Sequence, residues 1–473
     1  MIYKQSPQQM PSGLIKPRLI IHGGAGNVRA DRISPEKYAA YRHALLSIVS
    51  QTSTYMTTPS SSPKSASKLP SALDTATYAV TLLENNPLFN SGHGAVFTRD
   101  GINELEASVM VSRGYAKRGV GVMGLRRIKN PILLAKTMLE RGDEDLWGNS
   151  HPSTAGANDG SGLLDIPSAQ GHTQLHGPTA EQLAVQYGFE LVDPAYFFTQ
   201  TRWDEHVHAL EREKEGKGFL ATWHPEEYLP QGTVGAVALD ENGVVCAATS
   251  TGGLTNKLTG RIGDTPTMGA GFWAEEWEER GDPSKKSVGP TRNGWDGWRT
   301  YLGLTGPVVE LSSSLKAALA DCLPNPLLYS PVPQNPTRAV KTIRSMAVSG
   351  TGNGDSFLRT AAVKTVAAIA RYGVMPTSEA LHQVTGDGGE LQKSAGDRWG
   401  QTGEGEGGMI GIECVIVRDE KTGDILETRG EVLQDYNSAG MWRAWIDEAG
   451  NANMLAWDGK KDKEKIEGGN PLH

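Results

Sequence analysis

Gly232-Thr233-Val234-Gly235-Ala236-Val237-Ala238-Leu239-Asp240 opens on a Gly-Thr pair and continues as a strand-like run of small and apolar residues. Asp240-Glu241-Asn242-Gly243 is a hairpin-turn sequence, and the returning run ends in Ala247-Ala248-Thr249-Ser250-Thr251-Gly252-Gly253. A hairpin of this length brings Thr251 back beside Thr233, where its hydroxyl is expected to hydrogen-bond Thr233. Periodicity alone describes two strands of a buried sheet with a hydroxyl at each end. Chemistry offers a second reading. A threonine hydroxyl is a poor nucleophile without a base, and the chain shows no GxSxG elbow or Cys/His signature. If the chain cuts itself between Gly232 and Thr233, the new α-amine of Thr233 supplies that base. Its pKa of ~7.7–8.0 lets it both take and return a proton near neutrality. Glycine at 232 is expected to admit the unusual backbone angles of the N-to-O acyl shift.

The 473 residues carry a net charge of −8, which gives no nucleic-acid footprint. An anionic substrate therefore needs local cations. Hydrophobic residues, at 38%, suffice for a sizeable core, and 57 glycines point to many turns and close backbone approaches. Cys246, Cys322 and Cys414 are odd in number and widely spaced, which suits reduced thiols better than a disulfide framework or a zinc site. Met1 to Pro17 lacks an apolar signal core, and no run approaches a membrane span. The expected compartment is the cytoplasm, with no membrane partner.

Working outward, Arg18 to His22 reads as a buried strand ending in Gly23-Gly24-Ala25-Gly26, without the lysine or spacing of a nucleotide loop. Helical patterns cover 35–46, 73–84, 131–139, 179–187 and 356–372. A hairpin is expected around Arg99-Asp100-Gly101, and long strands over 409–417 and after Asp424. Polar, Gly/Ser/Pro-rich inserts are expected near 51–72, 141–176 and 275–340, and an exposed, turn-rich linker over 205–231. Strands bracketed by helices predict an α+β fold.

Three further groups belong with the hairpin. Arg261 and Asp264 stand three apart in a glycine-flanked turn, and a fixed cation beside a fixed anion suits an amino acid's α-carboxylate and α-ammonium. Thr351-Gly352, at a strand end, offers a hydroxyl and a backbone N–H to a developing oxyanion. Asn90 and His93 flank glycines near the site. Each has a plainer reading: a surface ion pair, a glycine turn before a helix, a structural histidine.

Together these pieces resemble the plant-type asparaginase and isoaspartyl-peptidase family of N-terminal nucleophile hydrolases. The resemblance is carried in order by Ile21-His22-Gly23-Gly24-Ala25-Gly26, Phe89 to Met110, Gly232 to Leu239, Thr249 to Gly253, Asn256-Lys257 and Gly260-Arg261-Ile262-Gly263-Asp264-Thr265-Pro266. It implies an αββα four-layer sandwich in a single domain, 1–473. It also implies self-cleavage into 1–232 and 233–473 and a homodimer of such αβ units. Thr233 matches the nucleophile, Thr251 its supporting threonine, Arg261 and Asp264 the substrate clamp, Thr351 and Gly352 the oxyanion contributors, and Asn90 a site-supporting residue. No catalytic cofactor is implied. Leu83, Glu84, Asn86, Phe89, Ser91 and His93 fall on a loop that holds structural sodium through main-chain oxygens in relatives. The implied substrates are L-asparagine and short β-aspartyl peptides. Two departures stand out. Met110-Val111-Ser112 replaces the family's Met-Asp-Gly, and Thr351-Gly352-Asn353-Gly354-Asp355 is closer to lysosomal-type glycosylasparaginases, although those have Asp where this chain has Gly232. Glycosylasparaginase-like cleavage, and an unprocessed inactive relative acting as a binding protein, are the alternatives.

Overall fold

The computed structural model describes residues 15–59, 69–116, 118–147, 168–216, 222–224, 232–280, 308–310, 329–331 and 340–467. They form an α+β structure. Strand β1 (Arg18–Gly26) leads into helix α1 (Pro35–Thr57), whose first turn is capped by the Ser34 hydroxyl accepting the Lys37 N–H, with Pro35 where no donor is needed. Helix α2 (Ala72–Glu84) begins in the same way, the Ser71 hydroxyl accepting the Asp74 N–H at 3.1 Å. Strands β2 (Leu105–Val111) and β3 (Gly119–Leu125), helix α3 (Pro131–Leu146), strand β4 (Gln174–His176), helix α4 (Gly177–Gln186) and helix α5 (Gln200–Lys214) follow.

The hairpin forms as read. Strands β5 (Val234–Leu239) and β6 (Val245–Thr251) pair antiparallel, Val234 opposite Ser250 and Leu239 opposite Val245. The Asp240 carboxylate accepts the Asn242 and Val244 N–H groups, at 2.9 and 3.1 Å, and Gly243 takes φ +78° to close the turn. The same carboxylate reaches the Ala72 N–H at the start of α2, so the turn also pins a helix.

Strands β7 (Phe272–Arg280), β8 (Val308–Glu310), β9 (Tyr329–Pro331), β10 (Val340–Gly352), β11 (Gly407–Asp419), β12 (Ile425–Tyr436), β13 (Gly440–Ile446) and β14 (Ala452–Leu455) complete the strands. An eight-stranded sheet runs β14-β13-β1-β5-β6-β2-β3-β4, and a four-stranded sheet runs β12-β11-β10-β7. In the first, strand alternation sends Ile21, Val234, Ala236, Ala248, Ala107 and Val109 into one core with helices α1 to α4. In the second, Met346, Val348, Met409 and Leu433 meet Phe357, Val363, Val366, Leu381 and Leu391 from the helices that follow β10. Cys246 and Cys414 are free and buried.

The chain groups into a large unit, 1–277 with 343–416 and 427–473, and a small one, 278–342 with 417–426. The small unit takes up most of the expected 275–340 insert. Within it β8 pairs antiparallel with β9.

Several expectations are corrected. Helix α1 continues to Thr57 and α3 to Leu146, because Ile48, Val49, Thr52 and Met56 on the one, and Met138, Leu139 and Gly142 on the other, extend a buried stripe into sequence that looked merely polar. Residues 200–214, two-thirds of them (205–214) assigned to a linker, are helix α5. The Thr199 hydroxyl caps it, and Arg202, His206, Ala209 and Arg212 form its buried face. The segment before Arg99 is no strand; Gly92–Gly94 is a short 3-10 turn instead. The helix over 356–372 is two helices, 354–360 and 362–372, broken where Ala361 takes φ +44°. The tail after Gly440 looked featureless, yet it supplies β13, the neighbour of β1. Residues 60–68, 148–167, 225–231 and most of 281–339 lie outside the described residues. Among the described residues no helix is long and apolar enough to cross a membrane.

Candidate active site

The face of the eight-stranded sheet opposite the helices is unusually polar for a buried surface. Register places His22 beside Gly235, Gly235 beside Thr249, Thr249 beside Ser108, and Thr251 beside Glu106. Thr233, two residues before Gly235, shares that face. All of these residues are buried, and each polar side chain has at least one hydrogen-bond partner.

The Thr233 hydroxyl, on a residue only 4% exposed, lies 2.9 Å from the hydroxyl of Thr265. Its partner is therefore Thr265 and not Thr251. Thr251 lines the same cleft, and its hydroxyl accepts the Gly253 N–H at 3.0 Å. Thr265 is fixed from behind: its carbonyl accepts the Ser108 hydroxyl at 2.6 Å and the Thr249 hydroxyl at 3.3 Å. Thr351 approaches from β10, donating its hydroxyl to the Thr233 carbonyl at 2.9 Å and accepting the Ala25 N–H at 3.1 Å. In the continuous chain Thr351 thus holds the backbone of Thr233. One layer deeper, His22 Nε2 lies 2.7 Å from the Ser349 hydroxyl; burial lowers the imidazole pKa to about 3, against the opposing effect of the Thr233 backbone, so the ring is neutral.

Gly232 is required for a different reason from the one expected. It is not among the glycines with positive φ. Its backbone instead crosses Gly24, where φ is +118°, so closely that a Cβ at 232 would lie 2.7 Å from the Ala25 nitrogen and closer still to Gly24 Cα. Gly232→Ala should therefore force backbone apart at the scissile bond. An overpacking cost of about 1–3 kcal/mol predicts scission slowed by roughly 10-fold or more, read as the half-time of the full-length band on a denaturing gel. Scission at the wild-type rate would show that the close approach is irrelevant.

Arg261 and Asp264 line the cleft with Thr233, Glu106, Gly352 and Gly354. Arg261 Nη2 pairs with Asp355 Oδ1 at 3.2 Å, a bridge whose Asp355 end is half exposed. Asp264 is 4% exposed, and its Oδ2 has no hydrogen-bond partner among the described residues. Burial raises its pKa to about 7 despite the nearby Arg261, with Glu106 and Asp355 adding to the rise. An orphaned buried carboxylate oxygen beside a guanidinium is what a zwitterion's ammonium would complete.

Asn90 ties the loop to the hairpin tip. Its Nδ2 donates to the Gly253 carbonyl at 2.7 Å and its Oδ1 accepts the Val96 N–H at 3.1 Å. His93 stands edge-on to Tyr196, with ring centres 4.9 Å apart. In the loop expected to hold sodium, the carbonyls of Leu83, Asn86, Phe89 and Ser91 each accept a backbone N–H, from Asn86, Phe89, Ser91 and Gly94, and each keeps a lone pair. A Cβ at Gly92 or Gly94 would collide with the Glu84 or Phe89 carbonyl oxygen. The Glu84 side chain is committed elsewhere, accepting Ser250 Oγ at 2.7 Å, the Ile132 N–H at 3.1 Å and Asn130 Nδ2 at 3.1 Å. Burial pushes its pKa to about 8, so it is protonated at neutrality. Neutral main-chain oxygens without a carboxylate fit a singly charged cation. Among the described residues no cluster of His, Cys, Asp or Glu could hold a metal.

Sequence reasoning missed Thr265, Ser108, Glu106 and the His22–Ser349 pair. Thr265 was within reach, since it directly follows Asp264. Ser349 and Thr351 are two apart on one strand, which is the signal that both face the same layer.

A sequence-family model, Asparaginase_2, described as asparaginase, matches residues 15–153 and 167–278. The chain is 30% identical over 431 residues to an isoaspartyl peptidase of Salmonella typhimurium, covering 90% of this chain and 94% of that protein. It is 30% identical over 429 residues to the isoaspartyl peptidase of Escherichia coli, at 90% and 92% coverage. A plant-type L-asparaginase of Pyrococcus abyssi is 33% identical over 267 residues, 54% of this chain and 70% of that one.

Proposed function

The chain belongs to the asparaginase family, and on that premise we propose that it is a self-processing threonine amidohydrolase. Its substrates are L-asparagine and β-aspartyl peptides, and its acid product is aspartate. One observation carries the reading: a buried threonine hydroxyl following a Gly-Thr bond opens on the same cleft as Arg261 and an unpartnered Asp264 oxygen. Thr233 Oγ1 attacks the Gly232 carbonyl, the Gly232–Thr233 C–N bond breaks to free the α-amine and leave an ester on Oγ1, and water hydrolyses that ester to the Gly232 carboxylate and the free hydroxyl. That amine then takes the hydroxyl proton as Oγ1 attacks the substrate's side-chain carbonyl, and gives it to the departing ammonia or amine. Water, deprotonated by the same amine, releases aspartate. Arg261 takes the α-carboxylate and Asp264 the α-ammonium. Gly352 and the Thr351 hydroxyl, turned away from the Thr233 carbonyl, receive the oxyanion, while Thr251 and Asn90 support the hairpin tip.

The same reading makes the fold a four-layer αββα sandwich of the N-terminal nucleophile type and the assembly a homodimer of αβ units. The enzyme would work in the cytoplasm on small molecules or short peptides, without nucleic acid or membrane. Its reaction needs no cofactor, and the 83–93 loop would hold structural sodium. The test is a denaturing gel with N-terminal sequencing, then hydrolysis of asparagine, a β-aspartyl dipeptide and a glycosylated asparagine. A chain that never exposes Thr233, or that acts on none of the three, removes the reading.

A pH profile follows. Below about 7 Asp264 takes up a proton in the free enzyme and loses its charge for the ammonium. In the substrate complex the bound ammonium keeps it ionised, so only the Thr233 amine titrates there. On the acid side kcat/KM should fall with two protonations and kcat with one. Asp264→Asn should reduce the kcat/KM limb to one protonation, at a raised KM. Equal slopes in wild type and variant would remove Asp264 from the clamp.

A further inference from the structure

Glu106 has no role in the mechanism above, yet it is 1% exposed and lines the cleft beside Thr233, Arg261 and Asp264. Strand β2 delivers it: Glu104 and Glu106, two apart, both lean toward the turn that carries the clamp. Glu104 Oε2 accepts the Gly260 N–H at 2.7 Å, and Glu106 Oε1 accepts the Gly263 N–H at 3.1 Å. These two bonds bracket Arg261. A point at the position of a Gly263 Cβ lies 2.8 Å from Arg261 Nη1 and 3.2 Å from Glu106 Oε2, so the carboxylate and guanidinium flank one small space.

Charge around that space does not balance. Arg126 answers Glu104 at 2.8 Å, and the buried Lys257, whose Nζ donates to the Glu104 carbonyl, lies within the field of Glu106. The four carboxylates of Glu104, Glu106, Asp264 and Asp355 thus share three cations, Arg126, Lys257 and Arg261, and Glu106 is the one that faces Arg261 Nη1 across that space. With Asp264 ionised, the free clamp is one positive charge short. A substrate that brings both an α-carboxylate and an α-ammonium leaves that balance unchanged and places its cation where it is lacking. A ligand whose amine is acylated adds a bare anion to a site already negative.

We infer that Glu106 is a specificity-determining residue, whose buried carboxylate makes the clamp demand a free α-ammonium and reject N-acylated or internal β-aspartyl ligands. This rests on the proposed function, because it assigns the same cleft to amino-acid substrates. Rejection by charge is the repulsive half of specificity, distinct from the attraction supplied by Asp264.

The test is calorimetric binding of L-aspartate and N-acetyl-L-aspartate to the self-processed protein. Glu106→Gln keeps an oxygen for the Gly263 N–H and loses the charge; Glu106→Asp keeps the charge. Wild type should prefer L-aspartate by about 100-fold or more. The Gln variant should narrow that ratio by roughly 10-fold, chiefly by binding the acetylated ligand better, as expected for removing a charge a few ångströms away in a shielded site. The Asp variant should retain the ratio whatever its absolute affinity. A wild-type ratio in the Gln variant, equal weakening of both ligands, or loss of the ratio in the Asp variant overturns the inference. Loss of the ratio in the Asp variant overturns it even where the Gln chain does not fold. Asparagine hydrolysis is measured on the same preparations. Its absence beside the expected binding ratios overturns the proposed function and not the role of Glu106; its presence beside an unchanged ratio does the reverse.

Discussion

Thr233→Ala should leave a single full-length band on a denaturing gel and lower asparagine hydrolysis by ~10³-fold or more, since removing a nucleophile eliminates the covalent route. Two separate losses are expected from one oxygen atom. In the continuous chain the hydroxyl is the group that attacks Gly232, and in the mature protein it attacks substrate. The surroundings are built to hold it. Thr265 sits 2.9 Å away, with its own carbonyl secured by Ser108 and Thr249, while Thr351 holds the Thr233 carbonyl from the facing strand. Thr233→Ser restores the hydroxyl but not the methyl that limits its rotamers, so it should cut slowly and hydrolyse measurably. The wild-type fragments should migrate together on a native gel. Strand β1, from the first fragment, lies between β13 and β5, both from the second, so scission severs one peptide bond and leaves every ladder intact. A Thr233→Ala chain that still yields fragments beginning at residue 233 would end the self-cleavage mechanism.

The hairpin was legible because its signals are local. A turn of Asp and Gly between two runs of similar length fixes the register, and the register carries Thr251 to the cleft. What was not legible is which hydroxyl touches Thr233. That depends on Thr265, which arrives from outside the hairpin and is placed by bonds from two different strands. The polar layer formed by His22, Thr233, Ser108, Thr249 and Ser349 reads in sequence as strands with scattered hydroxyls, because each strand is buried on both faces and alternation shows only weakly. The reason for Gly232 was misread in the same way. A turn glycine announces itself through its neighbours, whereas a close crossing with Gly24, more than two hundred residues earlier, leaves no local trace. Helix α5 was lost for a third reason: its buried face is made of Arg202, His206 and Arg212, whose polar ends suggested an exposed linker. Arg202 in fact pairs with Glu205 at 2.9 Å and donates to the Gly94 and Leu88 carbonyls, tying the helix to the loop that carries Asn90.

Arg261→Ala should lower kcat/KM for asparagine by about 10²–10³-fold, as expected for losing a charge-assisted, two-point hold on a carboxylate. Self-cleavage should proceed, because Thr233, Thr265 and Thr351 make their contacts without Arg261. That separation makes the variant informative: a processed but weak enzyme places Arg261 in substrate binding, whereas an unprocessed one would make it structural. Lysine at 261 should recover no more than about a tenfold part of the loss, since an ammonium offers a point charge and not a planar fork. Removing the competitor tests the same geometry from the other side. Asp355 pairs with Arg261 at 3.2 Å but is 55% exposed, so the bridge holds the guanidinium only loosely. Asp355→Asn should therefore leave stability nearly unchanged and lower KM slightly, by freeing Arg261 for the substrate. A raised KM would mean that Asp355 aims the guanidinium at the cleft, and the clamp would then comprise three residues.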